Sequence, residues 1–396
     1  MLTLGRVPAL RAAVRELSQL PEIADARHLY SKRDLGGALA HIRRAMQVVE
    51  AIPMPPLQFA ASGMLAQLLR ASGRAAEESN LWELAIERAR HQDETMHLFA
   101  CSGKASCALQ QEQPLSALAA CNAAEAEHTM DSHWRSLFAH HRALAITQQL
   151  AEGTGTATVQ AVEVALGSVD DDSHPNEAAS MQARSLILGD AHARCSDDVD
   201  ARQYWTRAVP MQGLEAASHG SDATKLGIAG TLCEIAAHRR LGYSLLRGGD
   251  ISAARSTFTR AVDVCDTSLH PQHVCLYVAL GDLAAAMLAG QEFMTAEGLY
   301  RSAVDAARPE NFTAPEAAYL MPTIEAFADL LSRLETNGKP RIAEANTMRE
   351  RAMALEATFS EATSEHPLRH TLEPWYTSVY EIDWLGATDG EDVLDD

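Results

Sequence analysis

The sequence predicts an all-α fold, a solenoid of about eight stacked helix pairs, and three observations predict it. Hydrophobic residues make up 47% of the 396 but aromatics only 5%, and Ala occurs throughout. Small side chains suit closely packed helices better than a β-rich core. The second observation is the stretch Leu241–Val262, which Gly248-Gly249-Asp250 breaks into two helices. The glycines end one helix and Asp250 starts the next. Gly242 lets the second helix lie close, Ala254 faces the gap, Phe258 fills the space below, and Ala261 admits the next helix. The third is recurrence of that pattern: a small residue, a large one four later, Ala seven later, and a small one twelve earlier.

In chain order the units are Ala38, Ile42 and Ala45 with Ala26; Glu78, Trp82 and Ala85 with Ala66 and the breaker Gly73; and Ala117, Cys121 and Ala124 with Ala105. Thr158, Val162 and Ala165 form a weaker fourth. Ala201, Trp205 and Ala208 follow with Gly189, then the Phe258 unit, then Ala296, Tyr300 and Ala303 with Ala284. Ala345, Met348 and Ala352 close the series after a turn lengthened by Thr336–Pro340. The unit starts lie 39 to 53 residues apart. A period near 40 with two helices per period means an α-solenoid. Pro210–Ala223 and Gly153–Thr156 interrupt the rhythm and read as hinges or partner loops.

The pattern resembles a tetratricopeptide repeat (TPR), with Leu-Gly in the first helix, then Gly, Ala, a large aromatic and Ala. The period exceeds the usual ~34 residues. The loops Ser173–Ala178, Leu269–Val274 and Thr313–Ala317, each with Pro near the start of a first helix, account for the excess. With the run Ala296–Arg301 they are similar to the long repeats of kinesin light chains. The resemblance covers roughly residues 26–357 and is strongest from 186 onward. It implies a right-handed superhelix that binds proteins, with first helices lining a concave face.

Carried over by register, that face includes Gln67, Arg70, Phe99, Leu109, Leu186, Arg239, Tyr243, Val278 and Leu288. Where related co-chaperones clamp a peptide carboxylate with Lys and Asn, this chain has mostly Ala, Gly, Ser and apolar residues. Two readings stand. The face is a groove for a helix or an extended apolar segment, or these positions pack against neighbouring helices.

Residues 1–25 and 358–396 flank the solenoid. Arg6, Arg11 and Arg15 precede the first acid, Glu16, and Val7, Leu10, Val14 and Leu17 share a helical face. That is the pattern of a mitochondrial transit peptide, or of a basic capping helix. The expected location is mitochondrial, with cytoplasmic as the alternative. In the tail, Thr371 and Pro374 suit a helix start, and Trp375, Tyr376, Tyr380 and Trp384 crowd into ten residues. These aromatics either anchor a partner or cap the last repeat. Eight acids and no base follow from Thr371 on, and the last eight or so residues are expected to be disordered unless a partner holds them.

A net charge of −20 argues against nucleic acid or anionic membrane as partner, and no apolar run reaches the length of a membrane span. The seven scattered cysteines read as small buried hydrophobes in a reducing compartment. Cys265, His270, His273 and Cys275 have metal-ligand types, but their spacing fits no zinc pattern. His133, His140 and His141 read as surface histidines. Gly103-Lys104 lacks the earlier glycine of a phosphate loop. The Asp170–Asp172 and Asp197–Asp200 runs read as helix N-terminal acids rather than calcium loops. No catalytic set and no cofactor is expected. The expected role is a non-enzymatic scaffold, an accessory subunit or assembly factor of a multi-subunit complex. Alternatives are a transient peptide adaptor or an enzyme with an unrecognised site.

Overall fold

Ala- and Leu-rich segments form helix along most of the chain, and Pro residues cluster at helix starts, where a missing N–H costs nothing. The computed structural model describes residues 8–90, 93–152, 158–167, 177–209, 223–307, 312–336, 339–360 and 384–385. Helix α1 (Pro8–Ser18) precedes eight pairs. These are α2 (Pro21–Ser31) with α3 (Leu35–Glu50), α4 (Pro55–Ala71) with α5 (Ala75–Ala89), and α6 (Glu94–Gln110) with α7 (Pro114–Glu127). Then come α8 (Ser132–Glu152) with α9 (Val159–Gly167), and α10 (Glu177–Arg194) with α11 (Asp198–Ala208). The last three are α12 (Ala223–Arg247) with α13 (Ile251–Ser268), α14 (Val274–Ala289) with α15 (Phe293–Ala306), and α16 (Ala314–Arg333) with α17 (Ile342–Ser360).

Each small–large–Ala unit falls on the second helix of a pair. Thr158 stands just before α9, where its hydroxyl accepts the Ala161 N–H at 3.2 Å. Ile42, Trp82, Cys121, Val162, Trp205, Phe258 and Tyr300 are buried, and Met348 packs at the edge of the core. A Cβ on Gly242 would stand 2.5–2.8 Å from the Phe258 ring, and one on Gly103 2.5–2.7 Å from Trp82. Gly189 lies in the same way beneath Trp205. These glycines therefore set the helix spacing. Glu78 occupies a position that is Ala in most units. Its buried carboxylate is held by an ion pair to Arg70 and by the Trp82 Nε1–H at 3.2 Å.

Six of the turns inside pairs share one backbone device, a residue in the left-handed region: Arg33, Gly73, Glu112, Ser196, Gly249 and Gln291, at φ 54° to 80°. It closes the first helix. In three of them the next residue is an Asp that caps the second helix: Asp34, Asp197 and Asp250 accept N–H bonds at 2.9, 3.2 and 3.0 Å. The Asp197 run is thus a helix start; Asp170–Asp172 lie outside the described residues.

Several expectations need correction. Pro315 starts α16, and Thr313 and Glu316 form a capping box there. Pro271, however, precedes α14 by three residues, because His273 is the cap: its Nδ1 accepts the Cys275 N–H at 3.2 Å. The lengthened turn before α17 contains two short strands, β1 (Glu335–Thr336) and β2 (Lys339–Pro340), paired antiparallel. His140 and His141 are not on the surface. Both are buried in α8, with Nδ1 donating to the Ser136 and Leu137 carbonyls at 2.7 and 2.8 Å. That back-bonding satisfies one ring nitrogen inside the helix, which is what lets an imidazole be buried.

The ends of the solenoid meet. Helix α16 approaches α4, and Arg33 after α2 reaches Glu316 on α16 at 3.4 Å. Helix α1 buries Leu10, Ala13, Val14 and Leu17 and packs on α4. No described helix is long and apolar enough to cross a membrane.

Candidate functional site

First helices of neighbouring pairs pack on one another along α6–α8–α10–α12–α14–α16. Two intervals are looser, α2–α4 and α4–α6. Helix α1 lies against α4 at the first. At the second lies Trp384, which with Leu385 comes from beyond the last repeat.

The seat is built mainly from one face of α4. Phe59, Gly63 and Gln67 stand at i, i+4 and i+8, one above the other on a helix. Phe99 on α6 faces them. The Trp384 indole meets Phe59 and Phe99 edge-on, with centroids 6.4 Å away in each case. Phe99 in turn stands edge-on to Trp134 of α8 at 4.8 Å. Gly63 lies directly under the indole, so that any Cβ there would enter the ring. Gln67 Oε1 accepts the Leu385 N–H at 3.0 Å. Trp384 is 6% exposed and Leu385 3%. An edge-to-face aromatic set around a Trp is worth roughly 0.5–1.5 kcal/mol per ring beyond the area it buries.

The other residues carried over by register fall into three groups. Arg239 and Tyr243 lie on α12 and are tied across the first-helix face. Arg239 forms an ion pair with Asp282 of α14, bonds the Tyr319 hydroxyl, and sits over the Tyr319 ring of α16 at 4.8 Å. Tyr243 donates to Asp282 Oδ1 at 2.5 Å, and burial of its hydroxyl beside that carboxylate pushes the phenol up, so it stays a donor. Arg70 turns to Glu78 on α5 of its own pair. Leu109, Leu186 and Val278 are buried in the core, while Leu288 is partly buried against it. Large aliphatic residues at these registers fill the interhelical space. Trp375, Tyr376 and Tyr380 lie outside the described residues.

Among the described residues, two clusters carry metal-ligand atoms within reach of one another: His97, Glu127 and His128, and His192, Asp197 and Asp200. In the first, His97 Nδ1 and His128 Nε2 stand 2.6 Å apart. That is a shared proton rather than two ligands on one ion, which at tetrahedral zinc would be roughly 3.3 Å apart. Arg90 engages both oxygens of Glu127, at 3.0 and 2.7 Å. In the second, Asp197 is occupied as the cap of α11. His270 and His273 bond backbone amides of Gln272 and Cys275 at 3.2 Å. Lys104, beside Gly103 inside α6, bonds Ser79 and Glu83 at 2.6 Å.

The buried cysteines are poor nucleophiles. Burial pushes the Cys101, Cys121 and Cys265 thiols up to about 12, so none is a thiolate at neutral pH. Six of the seven cysteines are buried and Cys195 is exposed.

The sequence matches no protein-family model and no curated protein. Among solved structures, the chain is similar to a tetratricopeptide repeat protein from Parabacteroides merdae (14% identity, TM-score 0.45, covering 79% of this chain and 99% of that one). It is similar to Rap protein complexed with Competence and Sporulation Factor (12% identity, TM-score 0.46, 77% and 78% covered). It is also similar to the TPR2AB domain of yeast Sti1 in complex with pHSP90 (14% identity, TM-score 0.27, 84% and 97% covered). Eight helix pairs, several with a first-helix glycine beneath an aromatic, make this a TPR-like α-solenoid.

Proposed function

We propose that the chain is a non-enzymatic protein–protein interaction scaffold, acting as an accessory subunit or assembly factor of a larger complex. One observation carries this reading. The first-helix face accepts a non-repeat segment, seating an indole on Gly63 and bonding a backbone N–H to Gln67. A side chain that reads backbone and a gap that takes an aromatic are the elements of peptide recognition. The acidic balance fits protein rather than nucleic acid as partner.

The mitochondrial assignment rests on Arg6, Arg11 and Arg15 ahead of the first acid. A second reading, a cytoplasmic adaptor that binds segments transiently, is favoured by α1. Its apolar face lies in the core, and removing a leader that included it would uncover α4. The test is affinity purification of the tagged full chain from its source, with native-gel migration and cross-link mapping. Co-migration with a large complex, cross-linked through α4 and α6, supports the subunit reading. Migration as a free monomer with no stoichiometric partner overturns it.

A further inference from the structure

Gly63 differs from the other glycines that lie beneath an aromatic ring. Gly103, Gly189 and Gly242 are covered by Trp82, Trp205 and Phe258, each from a helix of the same or the adjacent pair. Gly63 is covered by Trp384, and the neighbouring bond from Leu385 to Gln67 spans 318 residues. A glycine inside a helix weakens it, by about 1 kcal/mol relative to Ala. Here the ring it admits is not that of a neighbouring repeat helix but Trp384, in the looser α4–α6 interval. The gap is therefore shaped for a Trp delivered from outside the repeat.

Trp384 and Leu385 are buried among core side chains although they come from beyond the last repeat. Trp384 and Leu385 are in a turn, not a helix, and the polar contact is a backbone N–H to a side chain. Any segment with the same two side chains offers the same groups.

We infer that Trp384-Leu385 is a resident intramolecular ligand, and that the α4–α6 seat exchanges it for a segment of a partner protein presenting Trp followed by a large aliphatic residue. This rests on the scaffold reading and gives it a partner chemistry and a regulated state. With its own tail seated, the chain is closed to the partner. A tethered competitor acts at high effective concentration and weakens an incoming segment by the fraction of time the seat is filled.

The test uses the full chain and a fluorescein-labelled peptide of residues 377–391, read by anisotropy. Leu385→Pro removes the N–H given to Gln67, and Trp384→Ala removes the indole; both leave every repeat residue in place. Each variant is expected to bind the peptide at least ~10-fold more tightly than wild type. Adding Gly63→Leu to Leu385→Pro is expected to abolish binding, and adding Gln67→Ala to weaken it several-fold. A peptide with Ala for Trp should not compete. Equal affinity for wild type and both tail variants overturns the inference, as does binding that survives Gly63→Leu. Loss of helical signal in both tail variants at the assay temperature also overturns it, because the tail would then be core. If the peptide fails but the tagged chain still cross-links to a partner, the inference falls and the scaffold reading stands. If the peptide result holds and no partner is found, the seat is exchangeable, but the scaffold reading falls and takes the partner half of the inference with it.

Discussion

His141 makes the fold sensitive to mild acid. It is fully buried on α8, its Nδ1–H given to the Leu137 carbonyl at 2.8 Å. A second proton would place a charge among apolar neighbours, including the Phe138 ring at 6.1 Å. Burial therefore pushes its pKa from 6.5 down to about 4; the Leu137 carbonyl works in the opposite sense, and His140 and Arg70 add smaller pushes downward. Between those values the unfolded chain takes up a proton that the folded chain refuses. The stability from neutral His141 is complete above pH 6.5 and is lost as pH falls toward about 4. At ~1.4 kcal/mol per pH unit the full loss is about 3 kcal/mol. His141→Gln keeps a donor for Leu137 and does not titrate. Urea unfolding at pH 7.5 and 4.5 should show wild type losing about 2–3 kcal/mol more than the variant. Parallel losses, or a native imidazole proton resonance titrating near 6.5, would refute the reasoning.

Other outcomes follow from single contacts. Gly242→Leu pushes a side chain into the Phe258 ring and should lower the melting temperature by several degrees, an overpacking cost of about 1–3 kcal/mol; unchanged melting means the packing is wrongly read. Gln291→Gly relieves a left-handed residue at φ 63° and should stabilise by about 1 kcal/mol in chemical denaturation; a destabilised variant rules that out. Asp282→Ala strips the carboxylate from Arg239 and Tyr243 and should cost about 3–5 kcal/mol, whereas a loss under 1 would mean the network is not coupled. The double change His270→Ala and His273→Ala should leave zinc content unaltered and cost about 1 kcal/mol through the lost α14 cap. Stoichiometric wild-type zinc that vanishes in the variant contradicts this.

The solenoid was legible because its signal is local. Small residues at fixed offsets from one large residue describe how a helix pair closes, and Ala254, Phe258, Ala261 and Gly242 contain that geometry within one stretch. The turns were half legible. Gly73 and Gly249 announce a left-handed residue, but Arg33, Glu112, Ser196 and Gln291 take the same conformation with no sequence mark. His140 and His141 were misread because a histidine's burial is set by the helices packed against it. A signal was present in the apolar neighbours Leu137, Phe138 and Leu144 of His141. The Trp384 seat was the hardest to read, since a tail docking hundreds of residues away leaves no periodicity. Its trace was Gly63, a mid-helix glycine outside the repeat template with no aromatic of its own unit to cover it.

The two halves of the first-helix face solve opposite problems. From α12 to α16 the face is locked: Arg239 bridges three first helices through Asp282 and Tyr319, and Tyr243 fastens to the same carboxylate. Opening that interval would strand a charge away from water, so a partner gains nothing by entering there. Between α4 and α6 the face is filled by apolar and uncharged groups, a Trp ring on Gly63 and one amide on Gln67. Under the exchange inferred above, an incoming segment would replace each of these with an equivalent and leave no ion unpaired. Exchange costs least where the interaction is aromatic and neutral. If the Trp384 seat exchanges its occupant as inferred above, recognition lies in the second and third pairs and structural rigidity in the sixth to eighth.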